Sequence, residues 1–292
     1  MGDCGGGGRA RLIEQLIARQ ALRIAPAGEV FWYTSGTVGP YYINTHFLFG
    51  GPEKAGELLA FIDAEKENVG RFVPEISARC RDMYGSDPVY AEVVDSLAAT
   101  LRPERASLEM ISGGERRDWF FSVAVAHKLD LPHLFLYKDR RGFLARDRGA
   151  VEAGDLTGRC SAHVADLVTE ASSYRNAWVP ALRSRGGRLA WAANVIDRAQ
   201  GGDEVLRSLG VESWSLLRVD EELFAEMLRR NLIDADQKAV LEAYRRDPHG
   251  SMRRFLENHP RFLEAALESD DPRTAERARL LAEGDLYGLH PG

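Results

Sequence analysis

Apolar residues at Leu12, Leu16, Ile17 and Leu22 recur at helical spacing and predict a helix over Arg9 to Leu22. Gly28 to Asn44 then carries the runs Val30-Phe31-Trp32-Tyr33 and Tyr41-Tyr42-Ile43 around Ser35-Gly36 and Pro40. Aromatic and β-branched runs punctuated by Gly and Pro predict a hairpin. Residues 52–65 and 86–100 return to the helical period, whereas Arg71 to Gly85 is mixed and reads as a connector. From about residue 107 the pattern alternates. Strands are predicted at Leu108–Ser112, His133–Tyr137, Ala162–Val168 and Leu189–Ile196, with helices at Phe120–Leu129 and Tyr174–Arg185. Such alternation builds βαβ units and a mostly parallel sheet, which binds ligands beyond the carboxyl ends of its strands. The loops beginning near Gly113, Lys138, Thr169 and Asp197 are therefore the ones to read for chemistry. After about residue 220 the chain is charged and helical, with Phe224, Met227, Leu228, Val240, Leu241 and Tyr244 in period. A further pair of helices is predicted over Ser251 to Gly284, broken at Asp271-Pro272.

The length of 292 residues allows one large domain or a domain with an appendage. A net charge of −6 with interleaved signs argues against a nucleic-acid partner, which needs a basic stripe. Any phosphate ligand must then be met by a local concentration of Arg and Lys. Cys4, Cys80 and Cys160 have no metal-ligand spacing and read as reduced thiols of a cytoplasmic protein. Residues 1–8 read as a flexible, glycine-rich leader without the apolar stretch of a secretory signal. No apolar run approaches the ~20 residues that span a bilayer, so no membrane partner is expected.

The segment Val164-Ala165-Asp166-Leu167-Val168-Thr169-Glu170-Ala171-Ser172-Ser173 places an acid at a strand end before a loop of small and hydroxyl residues. A carboxylate there can accept hydrogen bonds from ribose hydroxyls. The loop amides and the following helix N-terminus can receive a phosphate. Equally, Ser172 or Ser173 could simply cap that helix. The segment resembles the phosphoribosyl-diphosphate motif of the type I phosphoribosyltransferases, in which two adjacent acids and two apolar residues precede a Thr-Thr-Gly-Gly-Ser-type loop. On this match Asp166 is the second acid, Thr169 the first loop hydroxyl and Ser173 the last. Ala165 stands where the first acid belongs, Glu170 replaces a Thr, and Ala171 and Ser172 replace glycines.

Other segments resemble the orotate phosphoribosyltransferases in the same order. Ser35-Gly36 with Pro40-Tyr41-Tyr42-Ile43 is similar to the family's early hairpin, with Thr37-Val38-Gly39 in place of a basic pair and Ser. Leu136-Tyr137-Lys138-Asp139 is similar to its Arg-Lys-Glu strand end, with Tyr137 for the Arg. A mobile loop should follow, and Arg140, Arg141, Arg146 and Arg148 fall within it. Asp197-Arg198-Ala199-Gln200-Gly201-Gly202 resembles the family's Asp-Arg-x-x-x-Gly stretch, whose Arg contacts the base. Ser112 to Trp119 occupies the place of the diphosphate turn. There Gly113, Gly114, Arg116 and Arg117 are candidate contacts, unless Glu115 and Asp118 neutralise the arginines within the turn.

The resemblance implies an α/β fold: a parallel-sheet, Rossmann-like core with an N-terminal hood and a C-terminal helical extension. The resemblance covers residues 9–220; a helical insert at about 52–105 and the helical extension 221–292 lie outside it. It implies a homodimer that uses Mg²⁺ and transfers ribose 5-phosphate from phosphoribosyl diphosphate to orotate or a related base. Asp166, Lys138 and Arg141 are then the catalytic candidates. Thr169, Ala171, Ser172 and Ser173 hold the 5-phosphate, Arg198 the base, and Tyr41 and Tyr42 complete the substrate contacts. The departures at 165, 170, 171 and 172 support an alternative, a degenerate member that binds a sugar phosphate or nucleotide in a regulatory role. A third reading makes the helical tail an interaction scaffold.

Overall fold

A computed structural model describes residues 6–146 and 149–289. In chain order the elements begin with α1 (Gly6–Ala18), β1 (Leu22–Ile24), β2 (Phe31–Trp32), β3 (Val38–Gly39), β4 (Tyr41–Ile43), a 3-10 turn at Thr45–Leu48, α2 (Pro52–Glu65), α3 (Val69–Ser86) and α4 (Pro88–Leu101). They continue with β5 (Met110–Gly114), α5 (Trp119–Lys128), β6 (His133–Leu136), β7 (Gly142–Arg146), β8 (Gly149–Glu152) and β9 (Cys160–Val168). A π-type turn at Tyr174–Trp178 leads into α6 (Val179–Arg183), followed by β10 (Arg188–Asp197), α7 (Gly202–Ser208) and β11 (Glu212–Arg218). The last five helices are α8 (Glu221–Arg229), α9 (Ala235–Arg246), α10 (Pro248–Asn258), α11 (Pro260–Leu267) and α12 (Pro272–Glu283).

The chain divides into two compact units, Met1–Ala21 with Asn44–Val219, and Leu22–Ile43 with Asp220–Gly292. The first holds a seven-stranded sheet in the order β11-β10-β9-β5-β6-β7-β8. Five strands, β11 through β6, are mutually parallel, and β7 and β8 continue the edge antiparallel. The parallel strands run outward in both directions from β5, so the order reverses between β5 and β9. That is the topological switch point at which doubly wound sheets bind ligands.

Most of the sheet alternation was visible in the sequence, but several elements differ, and α7 and β11 were not read. Arg71 to Gly85, read as a connector, lies within α3, which buries Phe72, Val73, Ile76 and Cys80 despite an internal Pro74. The expected mobile loop after Lys138 is a β-hairpin, paired Phe143 to Glu152 through Arg146 to Gly149. Arg148 lies outside the described residues, as do Cys4 and residues 1–5 of the expected leader, whereas Gly6 to Gly8 already open α1. The helix expected at Tyr174–Arg185 is split between the five-residue π-type turn and the five-residue α6.

The second unit joins segments about 200 residues apart in sequence. Its strands form two short antiparallel ladders, Leu22–Ile24 with Tyr41–Ile43 and Phe31–Trp32 with Val38–Gly39. Trp32 stacks on Phe262 at 5.3 Å, and Tyr41 meets Tyr244 edge-on at 5.7 Å. The Val38 amide donates to the Tyr287 hydroxyl at 3.1 Å, and Gln237 donates to the Ala25 carbonyl at 2.9 Å. Gly36, at φ +83°, approaches α12 so closely that a Cβ would lie 2.8 Å from Leu280 Cβ. The early hairpin thus shares a core with α8–α12, so the sequence boundary at 220 does not separate it from the tail. Each part buries the apolar face of the other, which neither the short strands nor the charged helices bury alone. The expected pair of helices over Ser251 to Gly284 is three, because His259-Pro260 also interrupts it.

Candidate functional site

The parallel ladder between β5 and β9 covers Met110–Ser161, Ile111–Ala162 and Ser112–His163, and then stops. Beyond it a cavity of about 360 Å³ opens between the two strand ends. The β5–α5 turn supplies Glu115 to Asp118, the end of β6 supplies Lys138, and β9 with its loop supplies Ala165 to Thr169 and Ala171 to Ser173. Tyr174 and Trp178 close the wall.

Asp166 sits at the end of β9 and is 9% exposed. Its Oδ2 accepts from the Thr45 hydroxyl at 2.8 Å. Burial, and then the neighbouring Asp118 carboxylate, push its proton affinity well above the ordinary carboxylate range. Asp118 accepts three hydrogen bonds. Its Oδ1 takes the Asp166 amide at 3.1 Å, and its Oδ2 takes the Gly114 amide at 3.1 Å and His163 Nε2 at 3.2 Å. Because a carboxylate only accepts, Nε2 carries the proton, and Nδ1 then accepts from Ser112 Oγ at 3.0 Å. Ser161 donates in turn to Ser112 at 2.9 Å, so a line of buried polar groups runs from the sheet interior to the cavity floor. His163 is fully buried within this line.

The loop after β9 bends through Ala171 at φ +51°, a left-handed conformation that glycine would adopt without strain. Glu170 is exposed and does not line the cavity, so its charge does not face a phosphate held there. Ser173 makes no side-chain capping bond to the following turn, so the capping alternative does not hold for it.

The structure brings Asp166, Lys138, Thr169, Ala171, Ser172, Ser173, Arg116 and Arg117 together around one cavity. Gly113 and Gly114 lie buried just behind it, where a Cβ on Gly114 would lie 2.3 Å from the Trp178 ring. The cations are not equivalent. Arg116 is ion-paired with Asp63 at the end of α2, and Glu115 is paired with Lys66. The neutralisation foreseen within the turn therefore comes from another element. Arg141 does not line the cavity; it pairs with Asp139 at 2.6 Å and Glu67 at 2.9 Å. Arg198 is also outside the lining; at the end of β10, its amide donates to the Val168 carbonyl at 2.9 Å. Tyr41 and Tyr42 belong to the second unit, where Tyr41 is buried against Tyr244. Thr45, Trp178 and the position of Asp118 beside Asp166 were beyond sequence reasoning, because only the fold makes these residues neighbours.

Among the described residues no group of three or more His, Cys, Asp or Glu converges as a metal cage. Mg²⁺ has no need of one: it binds through one or two carboxylates, water and substrate phosphates. Asp166 and Asp118 at the cavity floor fit that demand.

No protein-family model matches the chain. Its sequence is similar to the orotate phosphoribosyltransferase of Sulfolobus acidocaldarius, with 24% identity over 214 residues that cover 73% of this chain and 87% of the relative. It is also similar to that of Methanopyrus kandleri, with 27% identity over 191 residues covering 64% and 96%. In three dimensions it resembles Leishmania donovani UMP synthase, with a TM-score of 0.55, 18% identity and 82% of this chain covered, although the chain spans only 42% of that longer protein. It resembles the orotate phosphoribosyltransferase of Francisella tularensis with a TM-score of 0.52, 15% identity and coverage of 81% and 98%. With its mostly parallel sheet and its switch-point cavity, the chain has the type I phosphoribosyltransferase fold, and its sequence is similar, at low identity, to those of orotate phosphoribosyltransferases.

Proposed function

We propose that the cavity binds phosphoribosyl diphosphate and that the protein transfers its ribose 5-phosphate to orotate or a related base. The observation that carries this reading is that Asp166, Thr169 and Ala171 to Ser173 line a switch-point cavity together with Arg117 and Lys138. In this reading the loop amides and the hydroxyls of Thr169, Ser172 and Ser173 receive the 5-phosphate, Asp166 accepts from the ribose hydroxyls, and Arg117 and Lys138 meet the diphosphate. Neither cation has a carboxylate partner among the ion pairs of the described residues. Arg198 would take the carboxylate of the base bidentately.

The transfer breaks the bond between the anomeric carbon and diphosphate, which leaves with the bonding electrons. A ring nitrogen of the base forms the new bond and loses its proton. The protein contributes position and charge, so no covalent nucleophile is needed. Mg²⁺, bound with the substrate, would neutralise the diphosphate. A homodimer belongs to this proposal by family resemblance.

A second reading is favoured by two observations: Arg116 and Arg141 are already held by carboxylates, and Ala165 removes an acid from the motif. On that reading the protein binds the same ligand without turnover. Isothermal titration with phosphoribosyl diphosphate and Mg²⁺, followed by an assay for diphosphate release with orotate, separates the two. Saturable binding with release supports transfer, and binding without release against any base supports the second reading. No binding to the folded protein removes both.

A further inference from the structure

We propose that Asp118 is the missing acid of the sugar site, reaching from the β5–α5 turn to present, together with Asp166, two carboxyl groups to the cis-diol of a ribose phosphate. The inference rests on the sugar-phosphate reading of the cavity given above.

Position 165 lies on the same strand face as His163, since side chains alternate along β9. Ala165 is 2% exposed, is packed in the apolar cluster that contains Tyr174 and Trp178, and contributes to the cavity wall. His163 on that face takes Asp118 Oδ2 as its partner at 3.2 Å. The Asp118 carboxylate thus stands on the face that a carboxylate at 165 would serve. It can stand there because β5 and β9 have parted. The Asp166 amide has no β5 partner at that level, and Asp118 Oδ1 satisfies it at 3.1 Å. The turn is held by the Gly114 amide at 3.1 Å, and Gly114 must lack a Cβ, which would lie 2.7 Å from Asp118 Oδ2.

The remaining acceptor capacity is directional. A carboxylate offers about four lone-pair positions. Asp118 has three of them filled by the Asp166 amide, the Gly114 amide and His163, whereas Asp166 has Thr45 on Oδ2. Both residues line the cavity, so the positions left over are available to a ligand there.

Calorimetric titration of the full chain with ribose 5-phosphate and with 2,3-dideoxyribose 5-phosphate tests the assignment. The wild type should prefer the diol by about tenfold or more, as hydrogen bonds to charged groups allow. Asp118→Asn should reduce that preference at least about fivefold while leaving the dideoxy compound within about twofold of its wild-type affinity. A residue that merely shapes the turn would weaken both ligands together, and that result, or an unchanged preference, overturns the proposal while the sugar-phosphate reading stands. If the wild type binds neither compound, the underlying reading fails and this one with it. Should Asp118→Asn not fold, carboxyl ¹³C shifts of the wild type decide. The Asp118 resonance must move with ribose 5-phosphate and stay with the dideoxy compound; equal movement with both sinks the assignment.

Discussion

Arg141 donates from its guanidinium to the Glu67 carboxylate at 2.9 Å, tying the residue before β7 to the elbow between α2 and α3. Asp63 at the end of α2 holds Arg116 in the same way, Lys66 holds Glu115, and the Tyr137 hydroxyl donates to the Lys66 carbonyl at 2.6 Å. The elbow is thus pinned to the β5–α5 turn and to the segment between β6 and β7. Under the proposed function, a diphosphate reaching these arginines would compete with Asp63 and Glu67 for them.

The double variant Asp63→Asn/Glu67→Gln should therefore bind pyrophosphate more tightly, by roughly three- to tenfold at low salt. Its thermal midpoint should change little, since pairs as exposed as these contribute at most about 1 kcal/mol each. Titration with pyrophosphate checks this. Unchanged or weaker binding would show that the elbow acids do not compete for the anion.

Four of the five parallel strands were legible because each is a short apolar run next to a helical period, and β9 carries its acid near the strand end; β11, Glu212–Arg218, was not read because it is mostly polar and only half-buried. The cavity residues between 166 and 173 were legible for the same reason: their chemistry is contiguous in sequence. What stayed hidden depends on distance in the chain. Asp63, Glu67 and Asp118 acquire their roles only when folding sets them against Arg116, Arg141 and Asp166. The strand at Tyr41-Tyr42 was legible from its local pattern, but the partner of Tyr41, Tyr244, lies some 200 residues away and was not. The mobile loop expected after Lys138 came from the family resemblance, and strand β7 at Gly142–Arg146 was not read.

Asp166 makes stability depend on pH in a stated direction. Its folded proton affinity is raised above the unfolded value, so the native state holds the proton more tightly. Stability from this source is full below the unfolded carboxylate pKa and is lost as pH rises through the folded one. Asp166→Asn keeps an acceptor for Thr45 and removes the ionisation. The variant should gain stability over the wild type as pH rises from 5 to 8, by on the order of 2 kcal/mol. Urea melts at the two pH values measure it, and a gap that narrows with rising pH refutes the assignment.

His46 acts with the opposite sign. Burial, then the charges of Arg117 and Arg116, lower its pKa to about 3, and its Nδ1 is buried without a hydrogen-bond partner. Between that value and the ordinary 6.5 the unfolded chain binds the proton and the native state does not, so stability falls as pH falls through this window. His133, lowered to about 3 chiefly by burial, adds to the same acid limb. His46→Phe preserves the ring contacts with Phe47 and Phe120 and should flatten the limb by up to about 1.4 kcal/mol per pH unit. Melts at pH 6.5 and 4.5 compare the two proteins, and parallel acid limbs would exclude His46 as a contributor.

Gly202 sets the last relationship between the site and its support. It opens α7 directly behind the loop after β9, where a Cβ would lie 2.5 Å from the Thr169 carbonyl oxygen and 2.5 Å from Val168 Cγ1. The carbonyl is backbone and cannot swing aside, so Gly202→Ala must displace either α7 or residues 168–169. Overpacking of this kind destabilises by about 1–3 kcal/mol. The displaced segment leads into the amides proposed to receive phosphate, and misplacement by about 1 Å is enough to cost such a site up to a hundredfold. Gly202→Ala should therefore lose most of its affinity for inorganic phosphate while still melting cooperatively. Gly154→Ala, at a position with open space within 4 Å, should leave both properties unchanged. Phosphate titrations of the two variants beside thermal melts distinguish a loop braced by α7 from one that holds its shape alone. In the latter case Gly202→Ala would lose stability and keep its affinity.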